Sequence, residues 1–387
     1  MRLALISFLL AIPLTAQVLV SPARNQRIAK SFDARADDKP LRCDVTPIKP
    51  MLNYGFRFQA GYVVRIPLTQ YFGTGNRLTV LSRITPKNGK PAYFTQGMSL
   101  PPIPDDAPNK KDQIIETGGN FLLGEGQYEV AWVLADNSGR VCRKKWTAVA
   151  ELKGANRGIK AAIPPSAVTD LSLRGIPKPT GEESKDEDAR KLRLTVMVHA
   201  TPMSSRRTQL RASDEAMLLG TLSALLSRVP SVSVRLVVFN LEQHKEIFRR
   251  DKFQFTDFEE VSDALQKIDL NSVDYSVLKD RKGHLDLLAN LINTEQTENP
   301  ADAVVFLGPM ARHLDKVPSE SIEKPQGALP RFFYFRFESF FRRSPNAGLP
   351  DAITLALKSV KGKSIIIHTP AEFSKAIEQV ITRTNRG

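Results

Sequence analysis

A chain of 387 residues with 42% hydrophobic and 25% charged residues has the composition of a folded protein, which excludes wholesale disorder. Its net charge of +14 favours anionic partners, but the basic residues are dispersed in short groups such as Arg206-Arg207 and Arg342-Arg343. With no reading motif and no aromatic residues interleaved among them, specific nucleic-acid recognition is not expected.

Met1 to Ala16 reads as a signal peptide. Arg2 supplies the charged start, Leu3 to Ile12 an apolar run, Pro13 a break, and Ala16 the small residue before a cleavage point at Gln17. At ~1.5 Å per residue a run of about ten residues does not cross a ~30 Å hydrocarbon core, so the expectation is export and cleavage without stable membrane insertion. No cysteine sits directly after the cleavage point, which argues against a lipoprotein. The predicted location is periplasmic or extracellular, and 17–40 reads as a polar leader.

From 41 to 153 the texture is β. Phe56 to Ile66 and Leu78 to Ile84 read as strands, and Tyr128 to Leu134 and Arg140 to Trp146 flank Asp136-Asn137-Ser138-Gly139, a hairpin signal. An antiparallel β-sandwich is the predicted module. The two cysteines, Cys43 and Cys142, form an even pair in an exported chain and are predicted to be disulfide-bonded, tying the first strand of the module to its last. Residues 154–190, with Pro164-Pro165, Pro177, Pro179 and the charged run Glu182 to Asp188, read as a linker.

Beyond it, strands and helices alternate over 191–387. Strands are predicted at Leu192–Val198, Val232–Asn240, Ala303–Leu307, Phe332–Phe337 and Ser364–Ile367, with Glu246–Phe253 returning as a hairpin. Helices are predicted at Asp214–Arg228, from the capping box Thr256–Glu259 through Leu265, at Gly283–Glu295 and Asp351–Ser359, and from Thr369-Pro370-Ala371-Glu372 onward. Short apolar strands in this order predict a doubly wound α/β sheet.

That element order resembles a von Willebrand factor type A domain, and the plan of the whole chain resembles the von Willebrand-related secreted proteins common in acidobacteria. Metal-binding members of that family carry Asp-x-Ser-x-Ser after the first strand, because a hard divalent cation wants oxygen ligands and neutralising carboxylates. Here the matching stretch is His199-Ala200-Thr201-Pro202-Met203, and the fourth strand ends in Leu307-Gly308-Pro309-Met310. The acidic ligands are gone, so the resemblance implies a metal-free domain with no cofactor. The five histidines, His199, His244, His284, His313 and His368, show no metal-ligand spacing in sequence.

No Gly-x-Ser-x-Gly, phosphate loop, dinucleotide fingerprint or His-Glu-x-x-His occurs. The leading expectation is therefore an exported, non-enzymatic binding or adhesion-type protein with no catalytic residues. Its binding rim would be His199, Thr201, Ser204, Ser205, Arg206, Arg207 and Arg312, facing a protein partner or an acidic surface group. The alternatives are a hydrolase-type enzyme with a site near His199 and a charge-driven polyanion binder.

Overall fold

The computed structural model describes residues 17–21, 28–33, 38–103, 113–171, 191–204, 206–268, 277, 279–298, 301–323, 329–338 and 348–385. The predicted signal peptide, residues 172–190 of the predicted linker and Ser205 lie outside them. The chain divides into two units. One consists of residues to Leu52, Arg57–Lys153 and Lys160–Gly175; the other takes Asn53–Phe56, Gly154–Ile159 and the chain from Ile176.

The first unit contains β1 (Val18–Leu19), β2 (Lys39–Pro40), β3 (Asp44–Leu52), β4 (Phe58–Pro67), β5 (Arg77–Pro86), β6 (Ala92–Ser99), β7 (Ile114–Leu123), β8 (Gly126–Asp136), β9 (Arg140–Ala150) and β10 (Val168–Thr169). They form a six-stranded sheet, β1-β6-β5-β8-β9-β2, and a four-stranded sheet, β10-β7-β4-β3. Alternation explains the layering. Leu78 and Val80 of β5 point one way and are buried, while the alternating Arg77 and Thr79 are exposed. Tyr62, Val64 and Ile66 of β4 join Leu78, Val80, Trp132 and Leu134 in one apolar cluster drawn from both sheets. The arrangement is sandwich-like, as expected.

The β8–β9 hairpin falls where the sequence placed it. Gly139 takes φ +80°, and the Asp136 carboxylate accepts from Ser138 N at 3.0 Å, Arg140 N at 2.9 Å and Arg140 Nε at 2.7 Å. The disulfide is also present. Cys43, just before β3, bonds Cys142 on β9, with Cα atoms 6.3 Å apart, so the bridge links the two sheets. Two expectations fail here. The supposed leader contributes β1 and β2, and 154–171 is structured rather than linker-like: β10 pairs with β7, and Ile159 and Ile163 are buried.

The second unit holds β11 (Leu192–His199), α1 (Ala212–Arg228), β12 (Ser231–Asn240), β13 (Lys245–Arg250), α2 (Phe258–Gln266), α3 (Gly283–Thr297), β14 (Ala303–Pro309), β15 (Arg331–Phe337), α4 (Ala352–Ser359), β16 (Lys363–Ile367) and α5 (Pro370–Asn385). Its sheet runs β13-β12-β11-β14-β15-β16, parallel except for β13, which returns antiparallel beside β12. The central strands are apolar on both faces; Val196, Met197, Val305 and Phe306 are fully buried.

The doubly wound α/β fold class is corrected. The chain is mostly β, 40% strand against 27% helix, in three sheets with five helices among the described residues. Strands buried on both faces announce only that something covers them; they do not specify a parallel sheet wound with helices throughout, and β13 makes this sheet mixed. The capping box also shifts. Phe255–Asp257 is a turn of 3-10 helix in which Gln254 and Asp257, not Thr256 and Glu259, satisfy each other's amides. At α5 the expected box is present: Glu372 N donates to Thr369 Oγ1 at 3.2 Å and Thr369 N to Glu372 Oε2 at 3.1 Å.

Candidate functional site

The carboxyl ends of β11, β12 and β14 bring together most of the residues singled out in the sequence. His199 ends β11 and is fully buried. Its ring stacks on Phe239 with centroids 5.3 Å apart, Nδ1 donates to the Pro309 carbonyl at 3.3 Å, and Nε2 faces Glu242 Oε2 at 3.6 Å. Both ring nitrogens therefore face acceptors. Gly308 makes the approach of β14 possible: at φ +158°, a Cβ there would lie 2.6 Å from the His199 carbonyl oxygen.

Glu242 is the centre of this network. Thr201 Oγ1 donates to its Oε1 at 3.2 Å, and Arg312 Nε approaches the same oxygen at 3.5 Å. Burial would push the Glu242 carboxyl up, but the facing His199 ring and the Arg312 guanidinium prevail and hold it at about 2. Thr201 is fully buried and engaged with Glu242.

A second carboxylate fixes the loop after β11. Asp214, buried in the first turn of α1, takes a two-pronged contact from Arg207, at 2.5 Å from Nη1 and 3.0 Å from Nη2, and accepts from Met203 N at 3.2 Å and Arg211 N at 2.9 Å. Arg312 Nη2 donates to the Arg207 carbonyl, joining the two networks. The loop from Thr201 to Arg211 carries three arginines and no acid. Within it Arg206 and Arg211 are exposed, and Ser204 and Arg207 are half-buried.

The predicted rim is thus two populations. His199 and Thr201 are buried scaffold; Arg206, Arg207 and Arg312 reach the surface. Sequence reasoning missed Glu242 and Asp214, whose roles depend on where β12 and α1 lie beside β11.

Three histidines with no close spacing in the sequence come together in the fold. His284, on the first turn of α3, stacks on His313 with centroids 4.0 Å apart, and His244 lies 5.7 Å from His284. His284 Nε2 is 3.4 Å from Asp315 Oδ2. Burial and the His284 ring push His313 down to about 4, and burial with the same neighbour lowers His244. His368 stands apart: it follows β16, three places from β11 in the sheet, and its carbonyl accepts from Tyr54 Oη at 2.9 Å.

No family model and no curated protein matches the chain. Among solved structures, a structural-genomics target is 16% identical at TM-score 0.19, with 31% of this chain and 96% of that one covered. A glycosyl hydrolase family 2 member from Bacteroides cellulosilyticus is 12% identical at TM-score 0.21, covering 86% and 44%. A β-glucuronidase from Bacteroides uniformis is 8% identical at TM-score 0.19, covering 76% and 36%. Likeness at this level carries no argument about fold or activity.

Proposed function

We propose that this is an exported, non-enzymatic binding protein that recognises an acidic group on a protein partner through the arginine-bearing rim of its second unit. The observation that carries this reading is the loop from Thr201 to Arg211: the exposed guanidiniums of Arg206 and Arg211, no carboxylate within the loop, and a backbone pinned by Asp214, which also holds Arg207. A pinned loop presents its charge without ordering cost, which is what makes a small electrostatic patch useful in binding. Export is supported by the leader-like segment 1–16 and by the disulfide, a bond that persists in oxidising compartments. Among the described residues no helix is long and apolar enough to cross a membrane.

The hydrolase alternative draws no support from His199. A general base needs a free nitrogen within reach of a nucleophile, whereas both His199 nitrogens face protein acceptors and the Thr201 hydroxyl is spent on Glu242.

The test is fluorescence anisotropy with a labelled glutamate-rich peptide. Arg206→Glu should weaken binding about tenfold, one unit of interface charge reversed, while Lys90→Glu, in an exposed turn of the first unit, should not. Equal losses in both variants would mean a charge-driven polyanion binder with no defined rim. No loss in Arg206→Glu would remove the rim from the account.

A further inference from the structure

We infer that His284, His313 and Asp315 form a binding site for a late first-row divalent cation of the zinc class. The site goes beyond the rim reading and does not depend on it.

The three side chains come from two places. His284 sits in the first turn of α3, and His313 and Asp315 on the segment that leaves β14. Each offers one ligand atom, and the three atoms lie within 4.8 Å of one another. Two ligand atoms on a tetrahedral zinc with bonds of about 2.1 Å lie about 3.4 Å apart. The His284 Nε2 to Asp315 Oδ2 distance is 3.4 Å. Asp315 is exposed and His313 half-buried, so both are able to adjust around a guest.

The second observation concerns the nitrogens. His284 is 4% exposed, and its Nε2 is buried without a hydrogen-bond partner; His313 Nε2 is buried in the same condition. A buried polar atom left unpaired costs free energy, and two such atoms beside one another with a carboxylate at hand call for a shared partner. A cation satisfies all three groups at once. The rings stack with centroids 4.0 Å apart and planes 19° apart, so a shared ion requires the half-buried His313 ring to turn its lone pair toward the nitrogen of His284, a side-chain rotation that leaves the backbone in place.

The donor set selects the ion. Two imidazoles and one carboxylate suit zinc and its neighbours, whereas magnesium demands oxygen ligands. Three protein ligands leave one position for water or for a group on a bound partner. His244 flanks the site, 5.7 Å from His284, and is not among the three ligands.

The experiment is calorimetric titration of the full chain, free of any affinity tag and stripped with chelator, with zinc and separately with magnesium. Saturable, chelator-reversible zinc binding near one ion per chain is expected, with none for magnesium. His313→Ala, at a half-buried position, and Asp315→Asn, at an exposed one, should each weaken zinc at least about tenfold, and His368→Ala should leave it unchanged. Cobalt should give tetrahedral absorption bands in the native chain that His313→Ala removes. Zinc binding that is absent below 100 µM, or equally strong in His313→Ala and Asp315→Asn, would overturn the site.

Discussion

Glu242 decides how the rim is built. Among the described residues it is the carboxylate that meets His199, Thr201 and Arg312, and its removal leaves the Arg312 guanidinium without its counter-charge and His199 and Thr201 without a facing acceptor. Breaking a buried pair on one side costs more than the pair is worth, because the survivor stays desolvated. Glu242→Gln keeps an acceptor for Thr201 but not the charge, and should destabilise the second unit by about 3 kcal/mol, read from denaturant unfolding followed by circular dichroism. A change under about 0.5 kcal/mol, the scale of an ordinary surface substitution, would deny Glu242 this role. At this scale the sequence was a partial guide. His199 and Arg312 stand out as unusual residues at strand ends, but Glu242 is one acid among 41 acidic residues until β12 is laid beside β11. The histidine cluster was illegible for the same reason: 244, 284 and 313 are far apart in the chain and meet only through the order of strands in the sheet.

The β8–β9 hairpin shows an element specified by its own residues. Asp136 closes the turn by accepting from both Ser138 and Arg140, and Gly139 takes the positive φ that the geometry requires. Burial by itself would raise the Asp136 carboxyl; the bonds from the Arg140 amide, the Ser138 hydroxyl and the Arg140 guanidinium outweigh it and depress it. A depressed carboxyl contributes stability that is present above the unfolded value of ~3.9 and is lost as pH falls through the lower folded value. Melting of the first unit, followed by the fluorescence of Trp132 and Trp146, should therefore decline with acid below pH ~4 more steeply in the native chain than in Asp136→Asn. Parallel declines in the two would show that Asp136 contributes nothing. Local signals of this kind, here and in the Thr369–Glu372 box, were readable because every partner lies within four residues. Strands β6 and β7 gave no such signal: glycines and polar residues interrupt their alternation, and only pairing with β5 and β4 makes them strands.

Over the whole molecule, the sequence placed nearly every element of the second unit within a few residues, yet its fold class required correction. Element order constrains which strands exist and leaves open how layers cover them, and a two-residue strand such as β10, seated in what read as a proline-rich linker, depends on the waiting edge of β7. In the first unit the disulfide and the hairpin were legible, one as the forced pairing of two cysteines and the other through local chemistry, while β6, β7 and β10 were not. The central claim is that recognition belongs to the rim at the carboxyl ends of β11, β12 and β14. Hydrogen exchange of the full chain with and without the glutamate-rich peptide tests it most directly. The account predicts protection concentrated in 200–214, 241–244 and 309–313. Protection confined to the strands of the first unit, or spread evenly over the basic surface, would contradict it.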